Sequence, residues 1–162
     1  MNAIVSVTQD WGIGHEGSLL VRNPADMRFF RQTTMGGTVL CGRKTFESFP
    51  GGALKGRRNI VISRDAKYGP SGAEVAHSPQ EALELVAGED PERVWLIGGA
   101  SIYEQFLPSC TRALVTRHKI VVEADAYFPN LDESDQWELV STSAWDTTPS
   151  GVPFAFAEYV HV

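Results

Sequence analysis

The sequence predicts an α/β protein in which one mostly parallel sheet is flanked by helices. Three observations lead there. Short runs rich in Val, Ile and Leu recur along the chain, helix-competent segments separate most of them, and the tail carries two strand-like runs without a helix between them. No linker or low-complexity stretch divides the 162 residues, so a single domain over 1–162 is expected.

Taken in order, the strand candidates are "AIVSVT" near 3–8, "TVLC" at 38–41, "NIVIS" at 59–63, "AEVA" at 73–76, "VWLI" at 94–97 and "ALVT" at 113–116. Helices are predicted over 24–35, 43–49, 79–87 and 100–107. Pro24 suits a first helical position, Ser78-Pro79 supplies a cap followed by such a proline, and Pro108 ends the fourth helix. Strands alternating with helices imply parallel pairing through crossovers. In the tail, "WELVSTSAW" and "FAFAEYVHV" flank the turn "DTTPSGVP" and read as an antiparallel pair. The sum is about eight strands and four helices.

Composition narrows the function. No run approaches the roughly 18 apolar residues of a membrane span, and the N-terminus has neither the basic start nor the apolar core of a signal peptide, so a cytoplasmic protein is expected. Cys41 and Cys110 lack a partner motif and read as reduced, structural thiols. The four histidines, His15, His77, His118 and His161, show no metal-ligand spacing, and no metal is expected. A net charge of −6 argues against nucleic acid. Between Arg43 and Arg64, however, six cations (Arg43, Lys44, Lys55, Arg57, Arg58, Arg64) face Glu47 alone, a local excess of five. Such a window is either a solvated surface or a site for small, multiply charged anions, which the arginine fork grips at two points.

Three glycine motifs bear on that choice. "GIGHEG" at 12–17 spells a dinucleotide fingerprint after a strand, but that fingerprint requires a helix at once, and the next helix start is Pro24; the segment reads as a glycine-rich loop. "GGTVLCGRKT" nearly spells a P-loop, but Arg43 stands where the lysine must follow the second glycine, and "TVLC" is a strand. In "VWLIGGAS" a buried strand runs into Gly98-Gly99 and a helix beginning near Ala100. Glycines there let a ligand approach the backbone, and the helix start offers N–H groups to an anion; a tight turn without a ligand has the same pattern.

Asp26 falls in the first turn of the predicted first helix, where the helix dipole alone favours an acid. Helical spacing sets Phe29 and Phe30 beside it and places no base at those positions. A carboxylate among aromatics needs a partner or becomes neutral, and a cationic or donor-rich ligand face is a suitable partner.

Seven segments together, "GIGHEG", "NPADMRFFRQTT", "CGRKTFES", "GRRNIVISR", "VWLIGGASIYEQFLP", "VTR" at 115–117 and "DAYFP" at 125–129, resemble the dihydrofolate reductases in order and spacing over nearly the whole chain. The resemblance implies that family's single-domain fold, with a central eight-stranded, mostly parallel sheet and a C-terminal antiparallel hairpin. It implies hydride transfer from NADPH to the pterin of dihydrofolate, a monomer, no membrane partner, and a glycine-rich loop that closes over the nicotinamide. By the same resemblance Asp26 holds the pterin 2-amino group and ring nitrogen, with Thr116 bonded to it. Ile4 and Ile97 offer carbonyls, Met27, Phe30 and Leu54 form apolar walls, Tyr103 joins the substrate set, and Arg57 grips the folate α-carboxylate. Cofactor residues implied in this way are Ser6, Ile13, Gly14, Gly42, Arg43, Lys44, Thr45, Ser63, Arg64, Gly98, Gly99, Ala100, Ser101 and Ile102.

Two departures stand out. Leu20-Val21 replaces the Pro-Trp of the family pattern, removing an indole N–H that orders a water near the pterin. Ala124 and Ala126 flank Asp125 where Gly and Thr are usual, which leaves open how the glycine-rich loop is latched. Two other readings follow: a pterin- or folate-binding protein impaired in turnover, and a pyrimidine reductase of the riboflavin-synthesis kind, against which Asp26 with Arg57 argues.

Overall fold

A computed structural model describes all 162 residues. The chain runs β1 (Asn2–Val7), β2 (Gly12–Gly14), α1 (Pro24–Thr34), β3 (Thr38–Gly42), α2 (Arg43–Glu47), β4 (Arg58–Ile62), β5 (Glu74–Ala76) and α3 (Pro79–Leu85). It continues through β6 (Val94–Leu96), α4 (Ala100–Phe106), β7 (Arg112–His118), β8 (Ala126–Tyr127), β9 (Trp137–Thr142), β10 (Asp146–Thr147) and β11 (Pro153–His161). Each predicted strand and helix is present, with ends displaced by up to three residues.

Local chemistry accounts for the helix starts. The Asn23 side chain accepts from the Asp26 N–H and Pro24 occupies the first turn. Ser78 accepts from the Glu81 N–H at 3.1 Å while the Glu81 carboxylate accepts from the His77 N–H at 2.8 Å, a reciprocal cap at the head of α3.

Six strands pair in parallel in the order β7-β1-β6-β3-β4-β5, and β11 adds antiparallel to β7. Both β9 and β10 pair with the outer edge of β11, at its two ends, so the sheet is eight positions wide although nine strands enter it. The segment 146–153, read as a turn, contributes the two residues of β10 before turning. The glycine-rich segment also differs from expectation: Gly12–Gly14 pairs antiparallel with Ala126–Tyr127 as a separate two-stranded sheet.

Alternation along the strands divides the core between two faces. Ala3, Leu40, Ile60 and Leu96 pack with Ile102, Tyr103 and Phe106 of α4 and with Ala82 of α3. Ile4, Val39 and Trp95 pack with Phe29 and Phe30 of α1, and Cys41 and Val61 pack with Phe46 of α2. Both cysteines are buried and unpaired, and burial pushes each thiol up to about 12, which keeps it protonated and inert.

Candidate active site

Several of the predicted cofactor residues stand at or just beyond the carboxyl ends of the parallel strands, where open α/β sheets bind ligands. Gly42 ends β3, Ser63 and Arg64 follow β4, and Ile97, Gly98 and Gly99 follow β6. These strands are neighbours in the order β6-β3-β4, so three segments distant in sequence share one rim. On the other side β1 and β7 pair in register, with Ile4 beside Leu114 and Ser6 beside Thr116.

Asp26 lies half-buried in the first turn of α1. Its Oδ1 accepts a 2.5 Å hydrogen bond from the Thr116 hydroxyl, and no cation forms an ion pair with it. Burial raises its pKa, while the Thr116 bond and the nearby His118 pull it down. The aromatic neighbours predicted from helical spacing both pack against the cluster around Ile4, and Phe29 also meets Phe156 in a tilted pair with ring centres 4.5 Å apart.

Phe30, Leu54, Ile97 and Ile4 share that apolar cluster, whereas Met27, one turn before Phe30 on α1, is 60% exposed. The Ile4 carbonyl accepts from the buried Tyr103 hydroxyl at 2.7 Å, so one of its acceptor positions is already occupied. Arg57 donates to the Lys55 carbonyl and to the Thr34 hydroxyl but has no acidic partner. Burial and the neighbouring Arg31 lower its pKa, the signature of a guanidinium that an anion would stabilise. Leu54 and Arg57 are tied together by Asn59, a buried residue that sequence reading missed. Its amide exchanges 2.9 Å bonds with the Leu54 N–H and carbonyl and donates to the Arg57 carbonyl at 3.0 Å.

On the other rim the glycines have steric reasons. A Cβ on Gly42 would lie 3.1 Å from Ile102 Cγ1, and Gly98, at φ +115°, holds a conformation that side chains rarely adopt, with the Tyr103 ring 3.2 Å from its missing Cβ. Gly98 and Gly99 are joined by a cis peptide bond. Gly99 offers α4 no side-chain cap, which leaves the N–H groups of Ala100, Ser101 and Ile102 directed at the rim. Thr45 stands beside Gly99, with Oγ1 3.4 Å from where a Cβ would lie.

The cationic window divides in two. Arg43 is held by Glu47 at 2.8 Å and Asp65 at 3.2 Å over the Tyr68 ring, and Arg58 is held by Glu74 and Glu89. Arg43 is therefore already paired with two acids, while Lys44, Lys55, Arg57 and Arg64 carry no ion pair and supply the free positive charge. Ser63 is buried, and its hydroxyl accepts from the Asp65 N–H at 3.2 Å.

At the end of β1 lies a small cleft lined by Ser6, Ile13, Leu20 and Val21, among others. Gly14 and its neighbours are latched despite Ala124 and Ala126. The Asp125 carboxylate accepts from the Glu16 N–H at 2.8 Å, and the Asp125 N–H donates to the Gly14 carbonyl at 3.0 Å.

A glycine-lined bay with unpaired cations, beside an apolar slot with one half-buried carboxylate, has the features of a nucleotide-dependent α/β enzyme. Comparison with known proteins makes the class particular. Residues 1–161 match the family model described as dihydrofolate reductase. The dihydrofolate reductase of Neisseria meningitidis is 39% identical over 157 residues, covering 97% of this chain and 95% of the relative. That of Mycobacterium tuberculosis is 40% identical over 152 residues, covering 91% and 89%. Among solved structures, dihydrofolate reductase from Enterococcus faecalis complexed with NADP(H) and RAB-propyl superposes with a TM-score of 0.88 at 28% identity, covering 99% of this chain and 95% of that one. The chain belongs to the dihydrofolate reductase family.

Proposed function

We propose that this protein reduces 7,8-dihydrofolate to 5,6,7,8-tetrahydrofolate with NADPH, by hydride transfer to the pterin ring and water-relayed protonation of the adjacent nitrogen. The observation that carries the reading is the Asp26 carboxylate, half-buried at the apolar slot with the Thr116 hydroxyl as its side-chain partner. An anion desolvated in this way is matched by a flat, donor-rich heterocycle edge that brings hydrogen bonds or a positive charge. Thr116 fixes one carboxylate oxygen, and the other is left for the ligand.

The residues present fit the cofactor. Gly42 and Gly98 let Ile102 and Tyr103 of α4 pack directly against the rim, the uncapped start of α4 offers N–H groups to a pyrophosphate, and Lys44 and Arg64 supply unpaired charge. Ser63, beside Arg64 at the end of β4, places a hydroxyl near the same charge. NADPH, when bound, supplies the hydride. Phe30, Leu54 and Ile97 exclude water from the pterin, and Arg57 orients the tail through its carboxylate. Because Asp26 binds the edge of the ring away from the protonated nitrogen, the proton arrives through water, and Val21 offers that water no donor.

Mixing the protein with NADPH and dihydrofolate and following loss of reduced-nicotinamide absorbance tests the reading. Turnover that Asp26→Asn abolishes supports it. Binding of both ligands without turnover makes the protein a pterin binder, and consumption of NADPH only with a ribityl-pyrimidine substrate makes it the other reductase.

A further inference from the structure

Sequence reading gave His118 no role, yet the structure buries it 1% exposed at the end of β7, two residues beyond Thr116 and therefore on the same face of the strand. Its Nδ1 lies 3.1 Å from the Val7 carbonyl and its Nε2 lies 3.1 Å from Asn23 Nδ2. A carbonyl only accepts, so Nδ1 carries the proton, and in the neutral ring Nε2 accepts. Asn23, itself buried, must then turn its NH2 group toward His118, which leaves Oδ1 to accept from the Asp26 N–H at 3.2 Å. One strand thus holds the first turn of α1 at two points: Thr116 on the Asp26 carboxylate, and His118, through Asn23, on the Asp26 backbone.

We propose, resting on the reading of Asp26 above, that Asn23 and His118 are positioning residues for the substrate carboxylate: neutral His118 fixes the Asn23 amide in the one orientation that caps Asp26. Protonation of His118 would place an N–H against the Asn23 NH2 group. The amide would have to flip and present a donor to the Asp26 N–H, and the cap would be lost at a part-buried position. The groups facing His118 are few. Asp26 on α1 bears the only charge among them, β1 contributes the Val7 carbonyl, and β11 contributes the Phe154 ring at 6.0 Å. Burial lowers the His118 pKa from its ordinary 6.5, and Asp26 and the Val7 bond oppose that shift in part.

The test compares wild type, His118→Gln and His118→Leu, each saturated with NADPH, by dihydrofolate KM and single-turnover hydride transfer from about pH 5 to about pH 8, the range imidazoles titrate in. Glutamine accepts from Asn23 and donates to Val7 without titrating. Wild type should lose dihydrofolate affinity toward the acid end of that range, because burial holds His118 below the ordinary imidazole value, and His118→Gln should lack that acid loss. His118→Leu should show a KM raised about two- to tenfold throughout, the range one neutral hydrogen bond carries, with NADPH affinity unchanged. If His118→Leu fails to fold, the glutamine comparison and the ¹⁵N shifts of wild-type His118 decide. A proton on Nε2 at neutral pH, or a glutamine variant with the wild-type acid loss, overturns the proposal, as does a folded leucine variant with the wild-type KM. Asp26→Asn separates the two levels: if it binds and turns over dihydrofolate like wild type, the reading of Asp26 is wrong, whereas an impaired Asp26→Asn beside a wild-type-like His118→Leu overturns the positioning pair alone.

Discussion

The Gly42 N–H donates to the Gly98 carbonyl at 2.9 Å, which joins the end of β3 to the turn after β6 and makes the two glycine turns one rigid rim. A ligand spanning that rim meets preset backbone, so its affinity depends on the side chains that ring it.

Arg64 is the first of these. It is exposed, follows β4 and carries no ion pair, whereas Arg43 is already held by Glu47 and Asp65. Arg64→Ala should raise the NADPH KM about tenfold, the low end of a charge-assisted hydrogen bond, and leave NADH nearly unaffected. Steady-state kinetics with both cofactors checks this; equal losses would remove Arg64 from the 2′-phosphate.

Asp26→Asn should cut turnover near neutral pH by about 10² to 10⁴, as for a lost acid–base group. The same substitution should stabilise the fold. Burial raises the Asp26 pKa above its ordinary 3.8, so the folded state binds the proton more tightly, and wild-type stability falls as pH rises from 3.8 through the folded value. Asparagine has no such fall. The melting-temperature gain of the variant should be absent in acid below 3.8, grow as pH rises and level off at neutral pH; a gain independent of pH would show that ionisation of Asp26 costs the fold nothing.

Asn59→Leu removes three hydrogen bonds that hold Leu54 and Arg57. Stability should fall by about 1 to 3 kcal/mol, the cost of buried groups left unpaired, and the dihydrofolate KM should rise while the NADPH KM holds. Chemical denaturation and the two Michaelis constants measure this, and parallel loss of both affinities would mean a general collapse of the sheet edge.

Asp125→Ala deletes the acceptor of the Glu16 N–H. Amide exchange at Glu16 should speed up about tenfold as the glycine-rich segment opens more often, with α1 amides unchanged. Unaltered exchange at Glu16 would show that pairing of β2 with β8 is latch enough.

Val21→Trp restores an N–H beside the cleft that Val21 shares with Ser6, Ile13 and Leu20. Single-turnover hydride transfer near neutral pH should rise by up to roughly tenfold, the ceiling of one neutral hydrogen bond. Superimposed pH profiles in a folded variant with normal NADPH affinity would make Val21 a packing residue and assign the water to another group.

The sequence by itself determined what depends on neighbours along the chain. Pro24 and Ser78-Pro79 start helices because they act on their own turn, apolar runs make strands wherever they are buried, and Gly98-Gly99 marks a break between strand and helix. Those local signals, with the order of seven motifs, sufficed for the family and for Asp26 and Thr116 as partners. What required the fold was every relation set by strand order and register. The rim forms because β6, β3 and β4 are neighbours, and Arg43 is ion-paired with Asp65, 22 positions away. The glycine-rich segment is a strand only because β8 lies beside it, and Asn59 and His118 matter only through what burial places against them. A buried polar side chain takes its role from the partners that satisfy it, and those partners come from anywhere in the chain. In one dimension His118 is an isolated histidine; packed against Asn23 and Val7 it has one neutral tautomer and one task.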